Sequence, residues 1–200
     1  MKIKKTILVI ITIIFMIASL NIIFKGFSMY KEAVSELPLE KRIKKLKSKK
    51  SYIELENISN DFKALVIESE DDEFYSHFGI NIESTLRAVL VNIKNLSFTQ
   101  GGSGITQQLA KNLYFSFEKK LSRKVAEIFV VLKLEKNYSK NEILEFYCNI
   151  AYFGYGNYGI KEASRYYYNV EPKDLTLKQS KALVKTLKSP NNYNPKDIKE

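Results

Sequence analysis

Apolar residues are spaced differently in successive parts of the chain, and each spacing predicts an element. From Thr6 to Phe24 (TILVIITIIFMIASLNIIF) there is no periodicity, only nineteen residues without a charge. At about 1.5 Å per helical residue this nearly spans a hydrocarbon core of roughly 30 Å, which predicts a transmembrane helix. Lys2, Lys4 and Lys5 would also suit a signal peptide, but the run is long for its apolar part and no small-x-small site closes it. An uncleaved anchor is the reading. Over residues 25–50, Val34, Leu37, Ile43 and Leu46 punctuate a lysine-rich stretch at helical spacing, predicting an amphipathic stalk that is either laid on the bilayer surface or solvated.

Beyond the stalk, residues 52–67 include a short extended or irregular piece before ALVIES, and most of the remaining chain has helical period. Helices are predicted over 82–95, with Leu86, Val89, Leu90 and Ile93 on one face, and over 106–114, 122–137, 140–149 and 177–187. Ser139 with Glu142 three residues on forms a capping box for the fourth, and Thr176 precedes the last. The fold class is mainly α. Three regions result: a basic flank and anchor over 1–24, a basic juxtamembrane stalk over 25–50, and one folded domain over 51–200, long enough for its own core.

Charge modifies this picture. The formal net charge is +10, yet residues 1–50 hold 12 Lys/Arg against 3 Asp/Glu and residues 51–200 hold 20 against 19. The excess therefore sits beside the apolar run, where it favours anionic lipid over nucleic acid. Topology stays open on charge alone, because Lys2, Lys4 and Lys5 favour a cytoplasmic N-terminus while seven basic residues between Lys41 and Lys50 pull the other way. Cys148 is the only cysteine and His77 the only histidine, so neither an intramolecular disulfide nor a multi-histidine metal site can form.

Three segments could carry chemistry. ESEDDEF crowds Glu68, Glu70, Asp71, Asp72 and Glu73 before Phe74, His77 and Gly79. Like charges beside aromatic rings can tune a carboxylate for acid–base work, although a solvated acidic turn has the same composition. QGGSGITQQLAKN sets a glycine loop before a helix carrying Thr106, Gln107, Gln108 and Lys111, which suits a diphosphate but lacks P-loop spacing. Arg123 and Glu127, four apart in RKVAEIFVVLKLE, form either a surface ion pair or part of a site that stabilises a departing anion.

Taken in order, EDDEFYSHFG, GGSGITQQLAKN, RKVAEIFVVLKLEKNYSKNEILEFYCN, YFGYGNYGIKEA and LTLKQSKALVKTLKSPNNYNP resemble the peptidoglycan glycosyltransferases, glycosyltransferase family 51, across residues 60–195. The resemblance implies a lysozyme-like domain with a small membrane-associated subdomain near residues 80–100. It also implies lipid II and the growing glycan chain as substrates, and an extracytoplasmic domain on a single-pass anchor in the cell membrane with its N-terminus in the cytoplasm. Glu70 matches the general base and Glu127 the second glutamate near the donor diphosphate. Lys111, Arg123 and Lys124 match the diphosphate-neutralising cations, and Arg87 a donor-side residue. Ser103, Gln107, Gln108 and Asn112 match cleft positions, and Asp71, Phe74, His77 and Gly79 match supports of the Glu70 loop. No metal ligand and no required cofactor are implied; a divalent cation assisting the diphosphate is compatible, and other cell-wall synthesis proteins are candidate partners.

The chain departs from the pattern at Gly104, where the family usually has Thr, which is expected to loosen the loop. It departs again at Gln179, Lys181 and Lys185 in the last helix. No SxxK, SDN-like or KTG set is present after it, so the monofunctional type is expected. The rival readings are a lysozyme-like glycan hydrolase and a catalytically weak, membrane-anchored scaffold that binds lipid II.

Overall fold

The computed structural model describes residues 2–95, 101–115 and 120–195. Among them are nine α-helices: α1 (Lys2–Glu36), α2 (Leu39–Lys47), α3 (Asn60–Glu70), α4 (Ile82–Asn95), α5 (Ile105–Tyr114), α6 (Leu121–Asn137), α7 (Lys140–Ile150), α8 (Ile160–Tyr168) and α9 (Leu177–Lys188). Extended pairing among the described residues is limited to one antiparallel bridge, Tyr152 to Tyr158. The mainly α, lysozyme-like expectation is met.

The apolar run lies in α1, where large side chains such as Phe15 and Phe24 are about three-quarters exposed, at 73% and 75%. A helix apolar all round and uncovered by protein suits lipid as its solvent. α1 continues past the run without a break, then ends before Pro38, whose ring disfavours helical geometry in the residue before it. Where it leaves the apolar stretch it docks on α6. A Cβ on Gly26 would stand 2.5 Å from Val125 Cβ and 2.7 Å from the Ser122 carbonyl oxygen. Glycine is thus required here by close helix approach. One turn on, Phe27 and Tyr30 pack their rings on Phe129 at 5.1 and 5.4 Å.

The stretch expected as a stalk is accordingly divided. Residues 25–36 are part of α1, and the apolar seam of α2 meets protein: Leu39, Ile43 and Leu46 are almost wholly buried in the core. These apolar residues recur every three or four positions and α7 offers them a protein surface; each full burial contributes about 1.5–3 kcal/mol. The lysines between them face outward. Tyr114 Oη donates to the Leu37 carbonyl at 3.0 Å, and Arg42 stacks over the Tyr114 ring at 4.3 Å, fixing the corner between α1 and α2.

The irregular piece expected after residue 52 is present, with a 3-10 turn at Leu55–Asn57. Its unpaired backbone is satisfied from α7: Ile53 N–H donates to Asn149 Oδ1 and Leu55 N–H to Glu145 Oε2, both at 2.8 Å. α5, α6 and α7 form the centre through Leu109, Leu113, Val130, Leu134, Ile143 and Phe146, all buried. α3 packs on α9 at one side. The capping box at Ser139 and Glu142 forms as predicted, and Thr176 caps α9.

α8 had no counterpart in the predicted helices. Its signal was the spacing of Ile160, Ala163 and Tyr167, all buried, between Gly159 at φ +87° and Asn169 at φ +54°, two left-handed punctuation points. α4 has the predicted bounds, and Ile82, Leu86, Leu90 and Ile93 make an exposed apolar stripe along it. It is the described part of the expected membrane-associated subdomain; residues 96–100 of that subdomain lie outside the described residues.

Candidate active site

Glu70 is the last residue of α3, and the turn after it is held from beneath. Phe74 is fully buried, with Lys140 Nζ 4.6 Å from its ring centroid. Gly79 has φ +76°, and a Cβ there would stand 2.5 Å from Val131 Cγ1 and 2.8 Å from Glu135 Cγ, so both conformation and space require glycine. Asp71 is buried and does two things at once. Its Oδ1 pairs with His77 Nε2 at 2.7 Å, and its Oδ2 accepts the backbone N–H of Ile105 at 3.0 Å. The Glu70 turn is thereby tied to the first residue of α5.

That contact changes the expectation for Gly104. The loop is not left with a gap: the Asp71 carboxylate fills the space a side chain at residue 104 would occupy and serves α5 as a cap supplied from a distant part of the chain. Gln107, expected among the cleft residues, is mostly buried and turned back. Its Oε1 accepts Gly104 N–H at 3.2 Å, so it closes the helix start and does not line the cleft.

Gln108 points the other way. Its Nε2 donates to Glu70 Oε2 at 2.7 Å and to the Ser103 carbonyl at 3.3 Å. Ser103 Oγ in turn accepts from Lys124 Nζ at 2.7 Å. Lys124 and Arg123, on the first turn of α6, both pair with Glu127, Lys124 at 3.0 Å. Glu127 is fully buried and Arg123 nearly so, so this is no surface pair. Lys111 completes the cluster. Burial pushes its ammonium below the ordinary 10.5; Glu127 and Glu70 oppose the fall, while Lys124 and Arg123 add to it. Lys111 therefore lies within electrostatic reach of both glutamates.

A cavity of about 220 Å³ opens over this network, lined by Glu68–Asp72, by Ser84 and Arg87 of α4 and by Gly101–Gly104. Arg87 stands exposed at its wall and donates to Ser84 Oγ at 2.8 Å. Asn112 stands apart, lining a separate cavity with Arg42, Leu46 and Ile150. Among the described residues no cluster of three or more His, Cys, Asp or Glu side chains could hold a metal ion.

Two side chains that sequence reasoning missed belong to this architecture. Glu135 accepts from Thr106 Oγ1 at 2.6 Å and pairs with Lys140 at 2.8 Å, joining α5, α6 and α7 below the Glu70 turn. Tyr147 Oη donates to Gln108 Oε1 at 3.2 Å. Both fall inside predicted helices, but no local pattern names their partners, which come from other helices.

Lys111, Arg123 and Lys124 do not themselves line this cavity, and Arg123 lines a separate one with Met29 and Tyr114. A cleft whose wall carries the Glu70 carboxylate, linked through Gln108 and Ser103 to a lysine–arginine cluster behind it, suits transfer of a group from an anionic leaving group. The family model described as Transglycosylase matches residues 39–200. The chain belongs to this transglycosylase family. The match begins at the first residue of α2 and takes in every candidate site residue, while the anchor α1 lies outside it. Among individual relatives, the chain is similar to penicillin-binding protein 1F of Bacillus subtilis, 42% identical over 143 residues, which cover 72% of this chain and 20% of that protein. It is similar also to the monofunctional glycosyltransferases of Staphylococcus epidermidis, 36% identical over 163 residues (78% of this chain, 60% of the relative), and Staphylococcus aureus, 34% identical over 165 residues (79% and 61%). The chain thus spans a fifth to about three-fifths of the length of these transglycosylase relatives.

Proposed function

We propose that the chain is a membrane-anchored peptidoglycan glycosyltransferase that polymerises lipid II into β-1,4-linked glycan. One observation carries this reading: Glu70 and the Lys124–Glu127–Arg123 cluster are linked by one chain of polar contacts through Gln108 and Ser103. Glu70 takes the proton of the acceptor sugar's 4-hydroxyl. The O4–C1 bond forms as the bond from C1 to the diphosphate oxygen breaks, and the electron pair leaves on the diphosphate. Displacement from the face opposite the α-linked leaving group inverts C1 and gives the β bond, the synthetic counterpart of carboxylate-assisted glycoside cleavage. Lys111, Arg123 and Lys124 neutralise the departing charge. Held before the reaction begins, they need no reorganisation as it develops. The reaction needs no organic cofactor, and a divalent ion would arrive with the diphosphate.

The membrane supplies the substrate's lipid, so α1 crosses it with the N-terminus in the cytoplasm and the domain outside. The exposed apolar stripe of α4, beside the cavity wall that Arg87 helps to form, then meets the bilayer where the polyprenyl chain emerges. The test is polymerisation of labelled lipid II by the detergent-solubilised chain beside Glu70→Gln and Glu127→Gln. Long glycan from the unaltered chain and none from Glu70→Gln is the expected result. A folded chain that binds lipid II without polymerising it would point to a scaffold, and one that shortens preformed glycan to a hydrolase.

A further inference from the structure

We infer that Tyr147 is a positioning residue that orients the Glu70 carboxylate through Gln108, an inference that rests on the reading of Glu70 as the base. A glutamine amide can face either way about its last torsion, and one orientation would turn an acceptor oxygen toward the Glu70 carboxylate. The Glu70 carboxylate and the Ser103 carbonyl, both acceptors, call for the N–H side of the amide. The far end of the amide is held from α7, where Tyr147 Oη donates to Gln108 Oε1 at 3.2 Å. With Oε1 engaged, both N–H groups point outward, one to Glu70 Oε2 at 2.7 Å and the other to the Ser103 carbonyl at 3.3 Å.

The tyrosine is built for a fixed donor. It is about 1% exposed and sits in the hydrophobic core, so its ring cannot swing. Burial first, and the Glu70 charge second, push its hydroxyl well above the ordinary value, so it remains protonated and donates. Among the described residues, the other carboxylate oxygen of Glu70, Oε1, is met by the hydroxyl of the neighbouring Ser69 at the longer distance of 3.4 Å. Gln108 is thus the short, directional contact on the proposed base, and Tyr147 fixes where that contact points by anchoring the other end of the amide. A base that must meet an acceptor hydroxyl at hydrogen-bonding distance gains from one fixed lone-pair direction.

The experiment is a double-mutant cycle on lipid II polymerisation with Tyr147→Phe, Gln108→Ala and both together, each checked for folding by circular dichroism and thermal unfolding. Tyr147→Phe keeps the ring and removes only the hydroxyl. It is expected to lower kcat by about tenfold with KM for lipid II unchanged. In the Gln108→Ala background the same change is expected to have no further effect, because its route to Glu70 is gone. An unchanged kcat, or an equal loss with and without Gln108, would overturn the proposal. A readout that does not need turnover is the Gln108 side-chain amide resonance in nitrogen-15-labelled protein. It is expected to shift in Tyr147→Phe and in Glu70→Gln, and a resonance that moves in Glu70→Gln but not in Tyr147→Phe would also overturn it. Failure of the underlying reading has a different signature: full activity in Glu70→Gln, whatever the cycle gives.

Discussion

The Asp71 carboxylate lies where a side chain on Gly104 would be, 3.0 Å from the backbone N–H of Ile105 that it caps. Removing that carboxylate in Asp71→Ala would leave the α5 N–H and His77 Nε2 without their partner in a buried place, at a cost of about 1–3 kcal/mol. The expected outcome is a lower midpoint of chemical unfolding and a loss of polymerisation, since the Glu70 turn is no longer tied to the glycine loop. Gly104→Thr meets the same carboxylate from the other side and must displace it. It is expected to lower stability in the unaltered background and to be better tolerated in Asp71→Ala, which an unfolding cycle over the four proteins would measure.

The anchor and the site share α6. One face of that helix takes Gly26 and Phe27 of α1 against Val125 and Phe129, while its first turns carry the Arg123–Glu127–Lys124 cluster, linked through Ser103 to the cavity wall. Gly26→Leu puts a branched side chain into a contact already closed at Cβ, so α1 must move off α6. Overpacking of this kind costs about 1–3 kcal/mol. Polymerisation is expected to fall while the membrane fraction retains the protein, which separates docking of the anchor from insertion.

Glu127 is buried with two cations. Glu127→Ala leaves Arg123, itself about 8% exposed, without its carboxylate, and breaking such a pair from one side destabilises by about 3–5 kcal/mol. Glu127→Gln keeps the volume and one acceptor, so it is expected to unfold nearer the unaltered midpoint yet lose polymerisation. A thermal unfolding series beside rate measurements would test the split.

Lys111 gives a pH dependence with a definite sign. Its folded value lies below 10.5 because burial disfavours the charged form. The folded state therefore binds fewer protons than the unfolded one between the two values, and stability gains as pH rises through that window. On the proposed reading donor binding runs in the opposite direction, since a diphosphate is held by the charged ammonium. The alkaline limb of kcat/KM is expected below 10.5 and should move upward in Lys111→Arg, whose guanidinium stays charged.

Cys148 is buried on α7, and burial pushes its thiol up to about 12. The folded protein is expected to resist iodoacetamide at neutral pH and to react once unfolded, because the thiolate is the nucleophile. Rapid modification of the native chain would mean that α7 opens locally.

Much was legible in the sequence. An apolar run without charge dictates an anchor, and helical period with caps at Ser139 and Thr176 dictated where most helices begin, because those signals act within a few residues. The ordered motifs carried the family, and with it the expectations placed on Glu70, Glu127 and the cations. The fate of residues 39–47 was not legible, since an amphipathic lysine-rich helix has one pattern whether its apolar seam meets lipid, water or α7. Nor were the turned-back Gln107, the separate position of Asn112, the carboxylate that fills the space beside Gly104, or the chain from Tyr147 through Gln108 to Glu70. The last two rest on hydrogen bonds between residues 34 to 39 positions apart, brought together by packing. Periodicity and capping are local and determine what each segment is; only the tertiary structure decides which atoms those segments present to one another.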